Sequence, residues 1–412
     1  MRTTSAAAVI AAGSLLLAGC QGGPGGGGGK ISGGKVVLAV LNDQSATYAD
    51  LSGKGSVESV RMAVADYQAK YGSKAVAKKI DVVSADHQNK PDIASTKAQE
   101  LYDRQQADVI LDVPTSSAAL AVATQAKARK KLFIDVSAAT GALDATSCNK
   151  YTFHYGYNSY ALAHTTGSTV TQDGAKTWYI VYPDYAFVQD MNKSFAAAVQ
   201  GAGGSIVKSD PAPFPNDNFS TFLLKAPGLT PKPQVLGTMQ AGGDLVNLVK
   251  QYNEYKLRDK GIGLAVGLMF LTDIHSLGPD ALAGTKFTDP WYWNASPANR
   301  AWADKYLAKT GKRPTFPNAA NYSAALQYLE AVQRAGTDKS DAVVKQLEGA
   351  KVDDAFTRGG TIRATDHLLI HDVTLAQVKP QSEVTQPWDY EKVLKTIPGD
   401  QAFGPASPAC KL

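Results

Sequence analysis

The stretch Ala107-Asp108-Val109-Ile110-Leu111-Asp112-Val113-Pro114-Thr115-Ser116-Ser117 decides the fold class. An apolar run breaks into a polar loop containing Pro, and an Ala-rich segment, Ala118 to Ala128, follows, which reads as strand, turn and helix. A second apolar run, Leu132 to Val136, ends in another hydroxyl-bearing loop, Ser137-Ala138-Ala139-Thr140. Strand, helix and strand in this order form a βαβ unit with parallel strands. Both loops then lie at the carboxyl edge of a parallel sheet, where open α/β folds bind ligands. Thr115, Ser116 and Ser117 are residue types that cap helix N-termini, and such an end presents free N–H groups and a positive dipole to an anion. Capping alone is the simpler reading of this loop. The second hydroxyl-rich loop at the neighbouring strand end shifts the balance towards a binding site.

Outward from this unit the same alternation continues. Lys35 to Leu41 is a near-continuous apolar run, as expected of a strand buried on both faces of a parallel sheet, and it ends in the polar loop Asn42 to Tyr48. Val57, Val60, Val64, Tyr67 and Tyr71 then recur at helical spacing, followed by a strand over Lys79 to Ser84 and a helix over Pro91 to Gln105. From Tyr151 the pattern restarts. Strands are predicted at Trp178 to Tyr182, Ser205 to Lys208, Val235 to Met239 and Ile262 to Leu271, with helices at Ala186 to Gln200 and Asp244 to Tyr255. Two successive arrays imply an α/β protein of two doubly wound parallel-sheet lobes whose strand ends face a shared cleft. Pro297 to Ala308, Asn318 to Arg334 and Asp341 to Glu348 read as helices with no strand between them, so they pack back on an existing lobe. The chain therefore crosses between lobes more than once before the strand patterns of Thr361 to Val378.

The chain of 412 residues is 44% hydrophobic and carries a net charge of +5, with no basic run longer than Arg129-Lys130-Lys131. Nucleic-acid binding, which needs a concentrated basic face, has no support. The first segment reads as a targeting signal: Arg2, an apolar run from Ala6 to Leu17 too short to span a bilayer, then Leu17-Ala18-Gly19-Cys20. That tetrad resembles a bacterial lipobox, which implies cleavage before Cys20, a lipid on its sulfur and attachment to the cell envelope by that anchor alone. Residues 21–34 form a Gly-rich tether, which spans roughly 20 Å as a flexible coil. Cys148 and Cys410 remain, and an oxidising compartment leaves them as a disulfide or as two separate thiols.

Enzymatic signatures are absent. Neither Gly-x-Ser-x-Gly nor His-Glu-x-x-His occurs, and Gly53-Lys54-Gly55-Ser56 lacks the third glycine of a dinucleotide turn. Gly29-Lys30 mimics part of a P-loop, but Ile31 stands where a hydroxyl should hold magnesium. His367 and His371, flanked by Asp366 and Asp372, share a strand face without a further ligand-spaced partner, so a solvated strand is favoured over a metal site. No cofactor or metal is expected.

The order of elements and several local sequences resemble the substrate-binding proteins of ABC importers, in the branch of the leucine/isoleucine/valine-binding (type I periplasmic binding) proteins. The carriers are Gln44 to Asp50 after the first strand, Pro114-Thr115-Ser116-Ser117, Ser137-Ala138-Ala139-Thr140, Tyr182-Pro183-Asp184-Tyr185 and Ser296-Pro297-Ala298-Asn299. The resemblance implies two lobes joined by three crossover segments, with 35–152 and 290–358 in lobe 1, and 153–289 and 359–412 in lobe 2. It implies a monomer that closes over a small carboxylate and delivers it to an ABC permease. Ser116 and Thr140, with Thr115 and the backbone near Ser117, Ala138 and Ala139, would take the acid group, while Tyr48 and Tyr185 cover it from the two lobes. Asp273 is the candidate to hold the ammonium of an amino acid; an aromatic acid without one is the alternative, with Tyr157 lining its pocket beside His154, Tyr155, Trp291 and Trp293. Hinge packing is the competing role for the two Trp. A ligand sensor and an envelope enzyme on the same lobes are the other functional classes.

Overall fold

The computed structural model describes residues 31–184 and 187–412. The signal segment, Cys20, most of the tether and Tyr185 lie outside the described residues. The first lobe is built on a five-stranded parallel sheet in the order β2-β1-β3-β4-β5, with β1 Val36–Asn42, β2 Ile80–Asp86, β3 Val109–Leu111, β4 Leu132–Asp135 and β5 Thr152–His154. Every residue of β1, β3, β4 and β5 is buried, because helices cover both faces of this sheet and only a continuous apolar run satisfies both. Helices α1 (Gly53–Tyr71), α2 (Pro91–Asp103) and α3 (Ser116–Arg129) follow β1, β2 and β3.

The second lobe repeats that order. Strands β6 Thr177–Pro183, β7 Ser205–Ala212, β8 Val235–Thr238, β9 Gly263–Val266 and β10 Lys286–Asp289 lie as β7-β6-β8-β9-β10, all parallel. Two antiparallel strands extend this sheet; numbered after the three short strands described next, they are β14 Val373–Val378 and β15 Glu391–Ile397. The three short strands are β11 Lys351–Val352, β12 Gly360–Ile362 and β13 Leu369–Ile370, which form a small antiparallel sheet.

The helices Pro297–Thr310, Phe316–Ala335 and Ser340–Leu347 return to lobe 1. Asn318 and Asn321 hold Ser56 of α1, Tyr322 holds Asp66, and Glu330 holds Lys70 and Tyr71. The apolar face of α1 read from sequence is thus covered by a helix more than two hundred residues later.

Three segments pass between the lobes: residues 155–158 after β5, residues 290–296 after β10, and His371-Asp372 between β13 and β14. Lobe 1 accordingly extends beyond the sequence boundary of 358, since Leu368 bridges His154 at the open end of β5. The passages are bonded to one another. His371 Nε2 meets the Gly156 carbonyl at 2.8 Å, and Thr374 Oγ1 donates to the Asp289 carbonyl at 2.7 Å. His367 likewise reaches Thr152 O and Glu348, so the ring nitrogens of both histidines are engaged in holding the hinge. Cys148 and Cys410 are joined as a disulfide, which fixes the C-terminal tail beside lobe 1.

Gly156 sits where the first passage leaves the sheet. A Cβ there would stand 2.0 Å from the Val136 carbonyl oxygen, a backbone atom that cannot swing aside. Gly156→Ala is therefore expected to lower stability by at least about 1–3 kcal/mol in chemical denaturation. An unchanged midpoint would show that the passage does not press on Val136.

Candidate functional site

The carboxyl ends of β1, β3 and β4 meet at one buried acid. Asp112 accepts from Asn42 Nδ2 at 3.0 Å and from the Ser137 hydroxyl, tying together the strand ends that carry the loops at Tyr48, Ser116 and Ala139. Asp112 and Val113 both take positive φ, 81° and 77°, a conformation that is unusual for Asp and strained for a β-branched residue. This double reversal directs Pro114 and the start of α3 into the space between the lobes. Burial pushes the Asp112 carboxyl up, opposed by the hydrogen bonds from Ser137 and Asn42. Asp135, one strand over, is raised further by burial and then by the Asp112 charge, and its Oδ2 takes the Ala138 N–H at 2.9 Å.

The space these loops border is a narrow recess of about 330 Å³, its opening to solvent included. Lobe 1 contributes Tyr48, Leu51, Ser52, Pro114, Ser116 and Ser137, while Ala241, Leu268 and Phe270 come from lobe 2. Ala139, Tyr157 and Pro317 complete the wall. Across it the lobes touch: the Tyr48 and Phe214 rings are 5.8 Å apart, and Phe270 stacks on Phe316 at 5.2 Å. Gly242, at φ 58°, lies so near that a Cβ would come within 2.6 Å of the Thr47 carbonyl oxygen. The cleft is closed, and among the described residues no charged side chain lines it.

Each loop is fixed from behind. Asp43 accepts the N–H groups of Ser45, Ala46 and Tyr48 at 3.1, 2.7 and 2.7 Å, which shapes the turn that carries Tyr48. The loop after β4 is held by its carbonyls: Tyr157 donates to Ser137 O, His154 Nε2 meets Ala138 O at 2.8 Å and Ser159 Oγ donates to Ala139 O at 2.8 Å. Thr115 is the N-cap of α3, yet its side chain makes no capping bond and turns to Asn89 instead. The N–H groups of the first turn, at Ser116, Ser117 and Ala118, are left without an intrahelical acceptor. The Ser116 hydroxyl, which lines the recess, has no hydrogen-bond partner among the described residues.

The structure thus brings together Tyr48, Ser116, Ala139 and Tyr157 from the residues expected at the site. It does not bring Thr140, Ala138 or Asp273 into the wall. The Thr140 hydroxyl caps the short turn Gly141–Asp144 by accepting the Ala142 N–H, and the Ala138 N–H is committed to Asp135. Asp273 accepts the N–H of Phe270 at 3.0 Å and so caps its own helix, Leu271–Leu277. Ser117 is half-buried beside the recess, and Thr115 is buried behind it. Trp291 and Trp293 pack in the hinge, their indole N–H groups donating to Ala355 O and Trp388 O at 2.8 Å each. Sequence reasoning missed Phe270, three residues before the Asp273 it favoured. It also missed Ala241, whose position just past β8 is the same strand-end signal that marked the other loops.

Residues 35–383 match the sequence model of a family described as periplasmic binding protein. A comparison with curated proteins returns no match. Among solved structures, the chain is similar to a periplasmic binding protein from Burkholderia mallei, with 42% identity, coverage of 90% of this chain and 96% of that one, and a TM-score of 0.85. It is also similar to a branched-chain amino acid ABC transporter periplasmic ligand-binding protein from Burkholderia xenovorans, at 36% identity over 91% of this chain and 100% of that one, TM-score 0.81. A solute-binding protein from R. palustris, solved in complex with benzoate, shares the fold at 20% identity, covering 92% and 100% of the two chains with a TM-score of 0.77.

Burial pushes the Asp273 carboxyl up to about 7, only partly offset by the backbone N–H of Phe270. Its unfolded value is about 3.9, so the folded state binds this proton more tightly and the stability it brings is present below about pH 4 and lost as pH rises through about 7. Asp244, also raised to about 7 by burial, acts in the same direction. His87, lowered to about 4 by burial, opposes them only below about pH 6.5. Thermal stability is expected to fall as pH rises towards about 7, most clearly above about pH 6.5 where His87 no longer opposes, and to level off beyond about pH 7.5, with Asp273→Asn falling less. Identical slopes for the two proteins would remove Asp273 from the balance.

Proposed function

The chain belongs to the periplasmic binding protein family, and from that premise we propose that it captures a small organic acid by lobe closure and hands it to an ABC importer. The observation that carries the acid is the uncapped N-terminus of α3 beside the Ser116 hydroxyl. Main-chain N–H groups and a hydroxyl can surround a carboxylate without a bulky cation, and the helix dipole favours the negative charge. Tyr48, Tyr157 and Phe270 would cover the rest of the ligand with ring surface, with Tyr185 as the further cover from lobe 2.

The lining favours an apolar or aromatic acid over an α-amino acid. An ammonium group needs an anionic or strongly accepting partner, the recess wall carries no charged side chain among the described residues, and Asp273 is occupied as a helix cap. The name of the B. xenovorans relative favours a branched-chain amino acid as the second reading. Closure is driven by the ligand's preference for the shut state, in which both lobes contact it. We further propose that Cys20 carries a lipid and that the Gly-rich segment after it lets the lobes work at the outer face of a membrane.

Ser116→Ala is expected to raise the Kd for the acid found by a thermal-shift screen of benzoates, cinnamates and hydrophobic amino acids by about 5- to 30-fold. The melting temperature of the free protein should stay the same. Gly242→Ala, whose methyl group would wedge against Thr47, should also weaken binding, by holding the lobes apart. Calorimetric titration checks both, and unchanged affinity in Ser116→Ala would move the acid elsewhere.

A further inference from the structure

Past Phe270 and Phe316, on the hinge side, lies a second narrow space of about 210 Å³, its opening to solvent included. Phe270 lines both spaces, so the stacked ring pair is the partition between them. The wall of this inner chamber includes Trp291, Tyr292 and Trp293 and two carboxyl groups, Asp289 and Glu391. The aromatic residues present ring surface only, since their polar atoms are used elsewhere: the two indole N–H groups on backbone carbonyls, and the Tyr292 hydroxyl on Asp389 at 2.7 Å.

Of these two acids, Glu391 is the one supplied with no donor from the rest of the described chain. Asp289 Oδ1 takes one backbone N–H, from Trp291 at 3.0 Å. Glu391 is 3% exposed, and neither of its oxygens receives an N–H or O–H from a described residue. Burial pushes both groups up, the Asp289 charge raises Glu391 further, and a hydrogen bond from Glu391 partly offsets the rise at Asp289, so the facing pair holds one proton between them. Lone pairs still outnumber donors in the chamber. Asp389, two residues before Glu391, shows what a structural acid receives here: Lys379 Nζ and Asn294 Nδ2 at 2.8 Å each, besides the Tyr292 hydroxyl. A hinge that only needed filling would carry apolar side chains, because a buried acceptor without a donor is destabilising.

We propose that the inner chamber is the far subsite of the ligand cleft, where the Asp289–Glu391 pair accepts a hydrogen-bond donor, a hydroxyl or an ammonium, at the end of the ligand opposite its acid group. This rests on the reading of the α3 N-terminus as the acid-binding end. When Phe270 swings off Phe316, recess and chamber become one slot with donors for an anion at one end, ring surface along its length and acceptors at the other. The substrate class that fits is an acid with a distal hydroxyl or amino group, and Asp289 and Glu391 are its specificity-determining residues.

The test is calorimetric titration of the full chain and of Glu391→Gln with benzoate, 4-hydroxybenzoate, the longer 4-hydroxyphenylacetate and 4-hydroxycinnamate, and 4-(aminomethyl)benzoate. At least one donor-bearing acid is expected to bind about tenfold more tightly than benzoate, and Glu391→Gln to lose that margin while its affinity for benzoate is kept. A phenol in first place identifies the distal group as a hydroxyl, and the amine in first place identifies it as an ammonium. Equal binding of benzoate and all its analogues, or a margin that survives in Glu391→Gln, overturns the subsite and leaves the acid-binding cleft standing. No binding by any of these acids overturns the reading of the cleft, and the subsite with it. Should Glu391→Gln fail to fold, Asp289→Asn takes its place, and the ranking of the acids by the natural protein decides by itself.

Discussion

Asp112 holds the binding face of lobe 1 together. One buried carboxyl group receives Asn42 from the end of β1 and Ser137 from beyond β4, while its own backbone turns β3 through two left-handed residues into α3. The strain of Val113 is sustained because its neighbours over-determine it: Pro114 follows, and the Asp112 side chain is fixed on both sides. Remove that bond set and the N-terminus of α3 has no reason to point between the lobes. The pairs of N–H groups, hydroxyl and ring surface that make up the recess are thus consequences of a knot that lies beneath it.

The knot leaves the lobes free to move as bodies. Contacts across the recess are ring on ring, Tyr48 with Phe214 and Phe270 with Phe316, or backbone against glycine at Gly242, and such contacts carry little directional energy to break. The hinge is the opposite. Its first and third passages are bonded by His371 to Gly156, and Thr374 of β14 ties to Asp289 where the second passage leaves β10. Bending is therefore confined to a few backbone positions, while the small sheet of β11 to β13 and the strand β14 keep the passages in register.

This division also explains what could be read from the sequence. Strands buried on both faces, β1, β3, β4, β6 and β8, are continuous apolar runs and are legible as such. β5, β10 and β15 are not: Thr152-Phe153-His154 and Lys286-Phe287-Thr288-Asp289 are short and half polar because they end at the hinge, and β15 is an edge strand exposed over most of its length. The loops at Ser116 and Ala139 are visible because two hydroxyl-bearing loops fall at neighbouring strand ends of one sheet. The roles within them were not, since Thr140 and Thr115 are the same residue type, and the choice between capping a turn, bonding Asn89 and facing a ligand is made by tertiary contacts. Phe270 was hidden for a similar reason, an apolar residue in an apolar run whose exposure to a cleft no local pattern records.

Asp273 and Glu391 make the same point about acids. Both are buried in lobe 2 and both have a carboxyl pushed up by desolvation, but only Glu391 lines a cavity. The difference is the supply of donors. Asp273 takes the N–H of Phe270, a bond that any helix start can ask of an Asp at its third position, and its burial is accounted for by the helix it caps. Glu391 receives no N–H from the described chain, and the group facing it is a second carboxyl with which it shares a proton. A buried acceptor of that kind costs the fold free energy unless something completes it, and a glutamine or a leucine in its place would relieve the repulsion. What distinguishes an acid that holds a fold from one that awaits a ligand is therefore not its burial or its proton affinity but whether the chain itself satisfies its lone pairs.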